Sequence, residues 1–342
     1  MIIKKGTDTK IAVLEEEEYN SSLEHHLITE AFFAAVIKNP KQSDIHAHPD
    51  FFLAPEWIRW LMPTPATAES WITDLGSSHD RNKLRKKLQA SHMQRSDIRV
   101  ERAPLTVDDY DIWYKRLYLP EIGGRPGAIL FWPKTAALVK KVTVTESGAV
   151  ADFFRIFMYH KDGSFIGGAL WSISPSENSL TTRASAFEKN ARQKYELSTR
   201  LLEESRVFAT SQSLKWLSYG TDPNLFGVDV GLGLPMFKAR NGMRPVLARV
   251  GGVRLIKILN RDLSQLHTID DKKPSVLIFS MGGSDLADRA MACQNLPPRK
   301  NRGNLDRLWD LDLRLTPVHF VTDRQTPTLN VPKGMILLNI VL

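Results

Sequence analysis

Several side chains that can do chemistry stand close together in Ser218-Tyr219-Gly220-Thr221-Asp222-Pro223-Asn224. A tyrosine hydroxyl such as that of Tyr219 can donate a proton to a leaving group. A carboxylate such as that of Asp222 can hold an incoming amine or accept its proton. Asn224 adds a hydrogen-bonding amide for a substrate. The same run also suits a helix start, where Asp, Asn and Pro are common. Lys238 adds a cation near the end of the next helical stretch, where it also complements the helix dipole. Arg183, on an apolar strand, is either a clamp for a carboxylate or phosphate or an outward-facing residue. Two further groups are basic. Lys83, Arg85, Lys86 and Lys87 crowd one helix and read as an RNA-backbone footprint or a solvated face. Lys189, Arg192 and Lys194 follow a strand and can bind phosphate through their side chains.

Other chemistries find little support. His25-His26 and His46-Ala47-His48 lack a cysteine or carboxylate at ligand spacing, so no metal is expected. A single cysteine, Cys293, excludes an internal disulfide and a cysteine-rich metal site. No Cys-His pattern surrounds it, so its thiol is read as passive. A net charge of +8 fits a phosphate-bearing ligand without distinguishing CoA from RNA. No apolar run approaches the roughly 20 residues that cross a bilayer. The N-terminal residues lack the apolar centre of a secretory signal, and a cytoplasmic protein is expected.

These residues need elements to position them, and 342 residues are enough for two domains. Lys10 to Leu14 reads as a strand, and Leu23, Leu27, Ala31, Phe32 and Val36 fall at helical spacing. Pro55 suits a first helical turn, with Trp57, Trp60 and Leu61 on one face. A basic helix over 81–94, a strand over 97–102 and an aromatic helix over 107–119 follow. The last buries Tyr110, Trp113, Tyr114 and Leu117. Asp162-Gly163 makes a tight hairpin turn between strands starting near Ala151 and Phe165. Gly167-Gly168 in the returning strand points to a bulge or close backbone approach. A third strand over 180–187 leads to a helix over 193–210 with Leu197, Leu201 and Phe208 on its apolar face. A strand over 214–219, a helix reaching Phe237 and a strand over 245–250 complete an alternating pattern, which predicts a mixed α/β sheet. Arg299-Lys300-Asn301-Arg302 reads as a basic loop.

Four pieces in this order resemble the FemABX-like branch of the GNAT-fold transferases: Phe51-Phe52 to Trp57; the basic helix from Arg81-Asn82-Lys83-Leu84-Arg85-Lys86; the hairpin Lys161-Asp162-Gly163-Ser164-Phe165-Ile166-Gly167-Gly168-Ala169; and Ser218 to Asn224 followed by Gly233-Leu234-Pro235-Met236-Phe237-Lys238. The resemblance covers about residues 50 to 250. It implies an α/β fold built on a GNAT-like mixed sheet with flanking helices, in two related GNAT-like halves. These would span 46–150, a degenerate half, and 151–260, the half carrying the site. An N-terminal extension (1–45) and a C-terminal extension (261–342), the latter able to complete a sheet, would flank them. It also implies acyl transfer. Lys238 would then stabilise the oxyanion of the tetrahedral intermediate or hold the donor's phosphate. Tyr219, Asp222 and Asn224 would follow the strand that splays from its neighbour. GNAT acetyltransferases bind the CoA pyrophosphate on a glycine-containing loop. Here Phe187-Glu188-Lys189-Asn190-Ala191-Arg192-Gln193-Lys194 contains no glycine, and a β-carbon hinders close backbone approach. The resemblance thus favours aminoacyl-tRNA as co-substrate, with a small-molecule or peptide amine as acceptor and no cofactor. An acyl-CoA-dependent N-acyltransferase and a non-catalytic RNA- or peptide-binding module are the alternatives.

Overall fold

The computed structural model describes residues 2–6, 9–14, 20–29, 32–40, 42–123, 149–224, 226, 232–249, 251–259, 275–282, 285–294, 305–310, 315–321 and 338–341. The basic run Arg299-Lys300-Asn301-Arg302 lies outside them. The chain passes through β1 (Ile2–Gly6), β2 (Thr9–Leu14), α1 (Ser21–Thr29), β3 (Ala34–Lys38), α2 (Gln42–Ala47), β4 (Phe52–Pro55) and β5 (Trp57–Pro63). Next come α3 (Ala68–Asp74), α4 (Ser78–Met93), β6 (Ile98–Thr106) and α5 (Val107–Trp113), which a π-helical segment, Tyr114–Gly123, extends. β7 (Ala149–His160), β8 (Phe165–Ser174), β9 (Ser179–Phe187), α6 (Lys189–Lys194), α7 (Leu197–Ser211) and β10 (Trp216–Pro223) follow. The remainder is α8 (Gly233–Arg240), β11 (Arg244–Leu247), β12 (Val253–Ile258), β13 (Ser275–Met281), α9 (Leu286–Gln294), α10 (Leu305–Asp310), β14 (Leu315–Val321) and β15 (Leu338–Val341).

The chain forms two compact units, Leu61–Gly220 and Met1–Trp60 with Thr221–Leu342. In the first of these, strands lie in the order β10-β9-β8-β7-β6. β6 to β9 are successively antiparallel, and β10 is parallel to β9. With helices packed on it, this is a mixed sheet with flanking helices, as the alternating pattern predicts. The β7–β8 turn forms as Asp162-Gly163 predicts: Asp162 Oδ1 accepts from the Ser164 amide at 2.8 Å. α5 starts at a capping box between Thr106 and Asp109. Its buried stripe of Tyr110, Trp113, Tyr114 and Leu117 packs with Phe157, Leu170 and Ala186 into one core cluster. α4 buries Leu84 and Leu88.

In the other unit, β12 lies between β3 and β4, antiparallel to both, in a five-stranded sheet ordered β1-β2-β3-β12-β4. β13, β14 and β15 form a three-stranded sheet of their own, whereas the C-terminal extension is expected to complete a sheet. Val276, Ile278 and Val318 from that sheet share a core with Ile11, Val13, Val36 and Ile256, so this region packs as part of the unit.

Three expectations change. The helix expected from Pro55 onward is strand: β4 and β5 bury Leu53, Ala54 and Pro55, then Ile58 through Met62, in succession. A strand covered on both faces loses the alternation that separates it from a buried helix. For the same reason Val36, read on a helix, lies on β3, and α1 ends at Thr29. A boundary near residue 150 would also part β6 from β7, which pair from Ile98↔His160 through Pro104↔Phe154. Two sheet-bearing units fit two halves, but with other limits.

The expected close approach at Gly167-Gly168 is present. A β-carbon on Gly168 would lie 2.8 Å from Phe157, 3.1 Å from the Ile156 carbonyl oxygen and 3.1 Å from Trp113. The Trp113 indole also donates to the Gly168 carbonyl at 3.2 Å. Gly168→Ala therefore overpacks the aromatic cluster and is expected to cost about 1–3 kcal/mol, read as a lower urea midpoint with an unchanged slope.

Candidate active site

The structure brings Lys238 and Asp222 together. Asp222 lies near the end of β10, and Lys238 in the last turn of α8 points inward; both are buried. The Lys238 ammonium donates to Asp222 Oδ2 at 2.7 Å. The same oxygen accepts from the indole N–H of Trp60 on β5, also at 2.7 Å. Trp60 is fully buried and meets Phe279 edge to face, with ring centroids 5.5 Å apart. Lys238 Nζ stands 5.8 Å from the Trp60 ring centroid. Burial pushes the Lys238 ammonium below the ordinary lysine range, and the neighbouring Asp222 carboxylate opposes that shift. A buried pair of this kind gains little net stability, but losing one partner strands the other charge and costs about 3–5 kcal/mol. The arrangement therefore holds the lysine nitrogen at a fixed point in a low-dielectric setting.

Asn224, two residues beyond Asp222, serves the fold. Its amide nitrogen donates to the carbonyls of Pro55 and Phe279 at 3.0 and 2.8 Å, and its amide oxygen accepts from the Phe279 N–H at 2.8 Å. Both amide protons are used within the protein, which leaves none for a substrate.

Tyr219 precedes these residues on β10. Its buried hydroxyl donates to Ser205 on α7 at 3.2 Å, and Ser205 donates in turn to the Leu201 carbonyl at 2.8 Å. Burial raises the phenol above the ordinary tyrosine range, with hydrogen bonds to Ser205 and Thr182 opposing. Parallel pairing of β10 with β9 covers Trp216↔Ser179, Leu217↔Leu180 and Ser218↔Thr181 and stops there. Gly220 follows with φ +74°, a conformation that glycine adopts at little cost. Arg183 lies just beyond the paired stretch of β9. It is exposed, and its Nε donates to Ser172 Oγ at 2.6 Å.

On α4, Lys83, Arg85 and Lys86 are exposed, with Arg85 paired to Glu69 at 2.9 Å. Lys87 is half-buried and pairs with Glu196 at the start of α7. Lys189, Arg192 and Lys194 are exposed on α6. Two carboxylates missed by sequence reasoning stand at these helix starts. Glu188 caps α6, accepting from the Ala191 amide at 3.1 Å. Glu196 is the N-terminal flanking residue of α7, with φ +48°. Glutamate is not among the favoured capping types, so only the missing glycine in this connection marked it as unusual.

No family model matches the chain, and no curated protein matches it. Among solved structures the chain is similar to FemX, at 13% identity and TM-score 0.39, over 78% of this chain and 85% of that one. It is similar to L-PGS from Bacillus licheniformis at 10% identity and TM-score 0.36, over 77% and 81% of the two chains. It is similar also to a tandem GNAT protein from the clavulanic acid biosynthesis pathway, at 8% identity and TM-score 0.36, over 70% and 68%.

The buried phenol carries a pH dependence. Above a pH of about 10 an unfolded tyrosine ionises, whereas Tyr219 keeps its proton in the folded chain. Unfolding then releases a proton, so stability falls as pH rises through that range. Tyr219→Phe is expected to flatten the alkaline fall in denaturation midpoint, measured from pH 8 to 11.

Proposed function

We propose that this protein is an acyltransferase that moves an aminoacyl group from aminoacyl-tRNA to an amine acceptor. The amine nitrogen attacks the ester carbonyl, a C–N bond forms, and the ester C–O bond breaks. The amine loses a proton, and the ribose hydroxyl of the tRNA leaves with one. No covalent enzyme intermediate is needed. Lys238 is the cation that stabilises the tetrahedral oxyanion, and Asp222 holds it in place. The acceptor is a small molecule or peptide bearing a free amine.

The observation that carries the choice of donor is the pair of glutamates at the starts of α6 and α7. A helix start binds pyrophosphate through exposed N–H groups and the positive end of the dipole. Here Glu188 already accepts one of those N–H groups, and Glu196 sets a second carboxylate at the next start. The Glu188 carboxylate repels a phosphate, and Glu196 is already engaged with Lys87. The glycine-free connection leaves no close backbone cradle either, so an acyl-CoA donor is disfavoured. The exposed Lys83, Lys86, Lys189, Arg192 and Lys194 suit a ligand with many phosphates spread over its surface. α4 and α6 both pack on α7. The donor's RNA would lie along their exposed cations.

The test is transfer in cell extract with candidate amines, with and without ribonuclease. Ribonuclease is expected to abolish product, and added charged tRNA to restore it. Full activity with purified acyl-CoA and no RNA would overturn the assignment of the donor.

A further inference from the structure

We propose that Trp60 is a positioning residue for the transfer step: by sharing Asp222 Oδ2 with Lys238, it sets how tightly the carboxylate holds the lysine. This rests on the reading of Lys238 as the oxyanion's cation. The two donors sit at equal distance, 2.7 Å, from the same oxygen. Each hydrogen bond draws on one pool of negative charge, and in a buried setting that competition is weakly screened. Without the indole donor, Asp222 would hold Lys238 more strongly and offer less of its charge to an oxyanion.

The indole is well placed for this task. Its ring is fixed edge to face against Phe279 and is fully buried. Lys238 Nζ lies over that ring within the usual cation–π range of about 6 Å. One side chain thus touches both members of the ion pair, the carboxylate through its N–H and the ammonium through its face. Among the described residues Asp222 is the charged group that acts on Lys238, with burial opposing it. β5 contributes the neutral indole and β10 the carboxylate. A change in this hydrogen bond therefore reads out in the ionisation of Lys238.

The experiment compares Trp60→Phe, and replacement of Trp60 by 3-benzothienylalanine, with the parent protein. The second variant keeps the ring volume and substitutes sulfur for the N–H, so packing survives even where Trp60→Phe fails to fold. Two quantities are measured: the ionisation midpoint of Lys238, from the NMR of ε-carbon-labelled lysine without substrate, and the pH profile of kcat with charged tRNA. The expected result is an upward shift of the Lys238 midpoint by about one unit. The alkaline limb of kcat should move with it, and the plateau should fall severalfold. An unmoved midpoint in a folded variant overturns the proposal. A midpoint that rises while the kcat profile stays in place overturns the role in turnover, and removes Lys238 from the transfer step as well. Loss of thermal stability with both quantities unchanged makes Trp60 a packing residue only.

Discussion

A carboxylate sealed inside a protein must have its charge met, and Asp222 meets this constraint with two donors on one oxygen. That requirement ties together pieces far apart in sequence. β10 must bring Asp222 inward, β5 must present Trp60 from the same side, and the last turn of α8 must turn Lys238 away from solvent. Asn224 secures the neighbouring backbone by bridging Pro55 and Phe279. The outcome is a lysine whose position is set by packing rather than by its flexible stem. Such fixed charge is what oxyanion stabilisation needs, because no reorganisation is left to do during reaction.

Much of this was legible in the sequence. The Asp162-Gly163 turn, the basic helix, the aromatic stripe of α5 and the succession of strands follow from local patterns of period two or 3.6. Lys238 and Asp222 were both singled out, although their pairing was not. Trp60 was invisible as a partner, since its hydrogen bond to Asp222 spans 162 residues and its strand was buried without alternation. α7 shows a different limit. Leu197 and Leu201 are buried as its apolar face predicts, but so are Arg200, Glu203, Glu204 and Arg206. Their spacing resembles that of solvated surface pairs. Only the structure shows Arg200 bonded to Glu204 at 2.9 Å and Arg206 to Glu203 at 2.8 Å inside the fold. Charge spacing along one helix cannot report what the rest of the chain packs over it.

The two helix starts underlie the proposed choice of donor. Backbone N–H groups bind a pyrophosphate compactly, but only where the chain can approach and no anion already sits there. On the proposed reading, phosphate is held instead by long cationic side chains. These are dispersed on α4 and α6 and better matched to an extended polyanion than to one diphosphate. Lys87 belongs to the scaffold, since its pairing with Glu196 pins α4 to the start of α7.

Lys238 is proposed to act in chemistry as well as in packing. The direct measurement is the single-turnover rate of Lys238→Ala with charged tRNA and amine acceptor, on protein whose fold is verified by circular dichroism. A rate at least about tenfold below the parent is expected for the loss of one oxyanion contact. A folded variant that transfers at the parental rate would contradict the account and leave the Lys238–Asp222 pair as a structural ion pair.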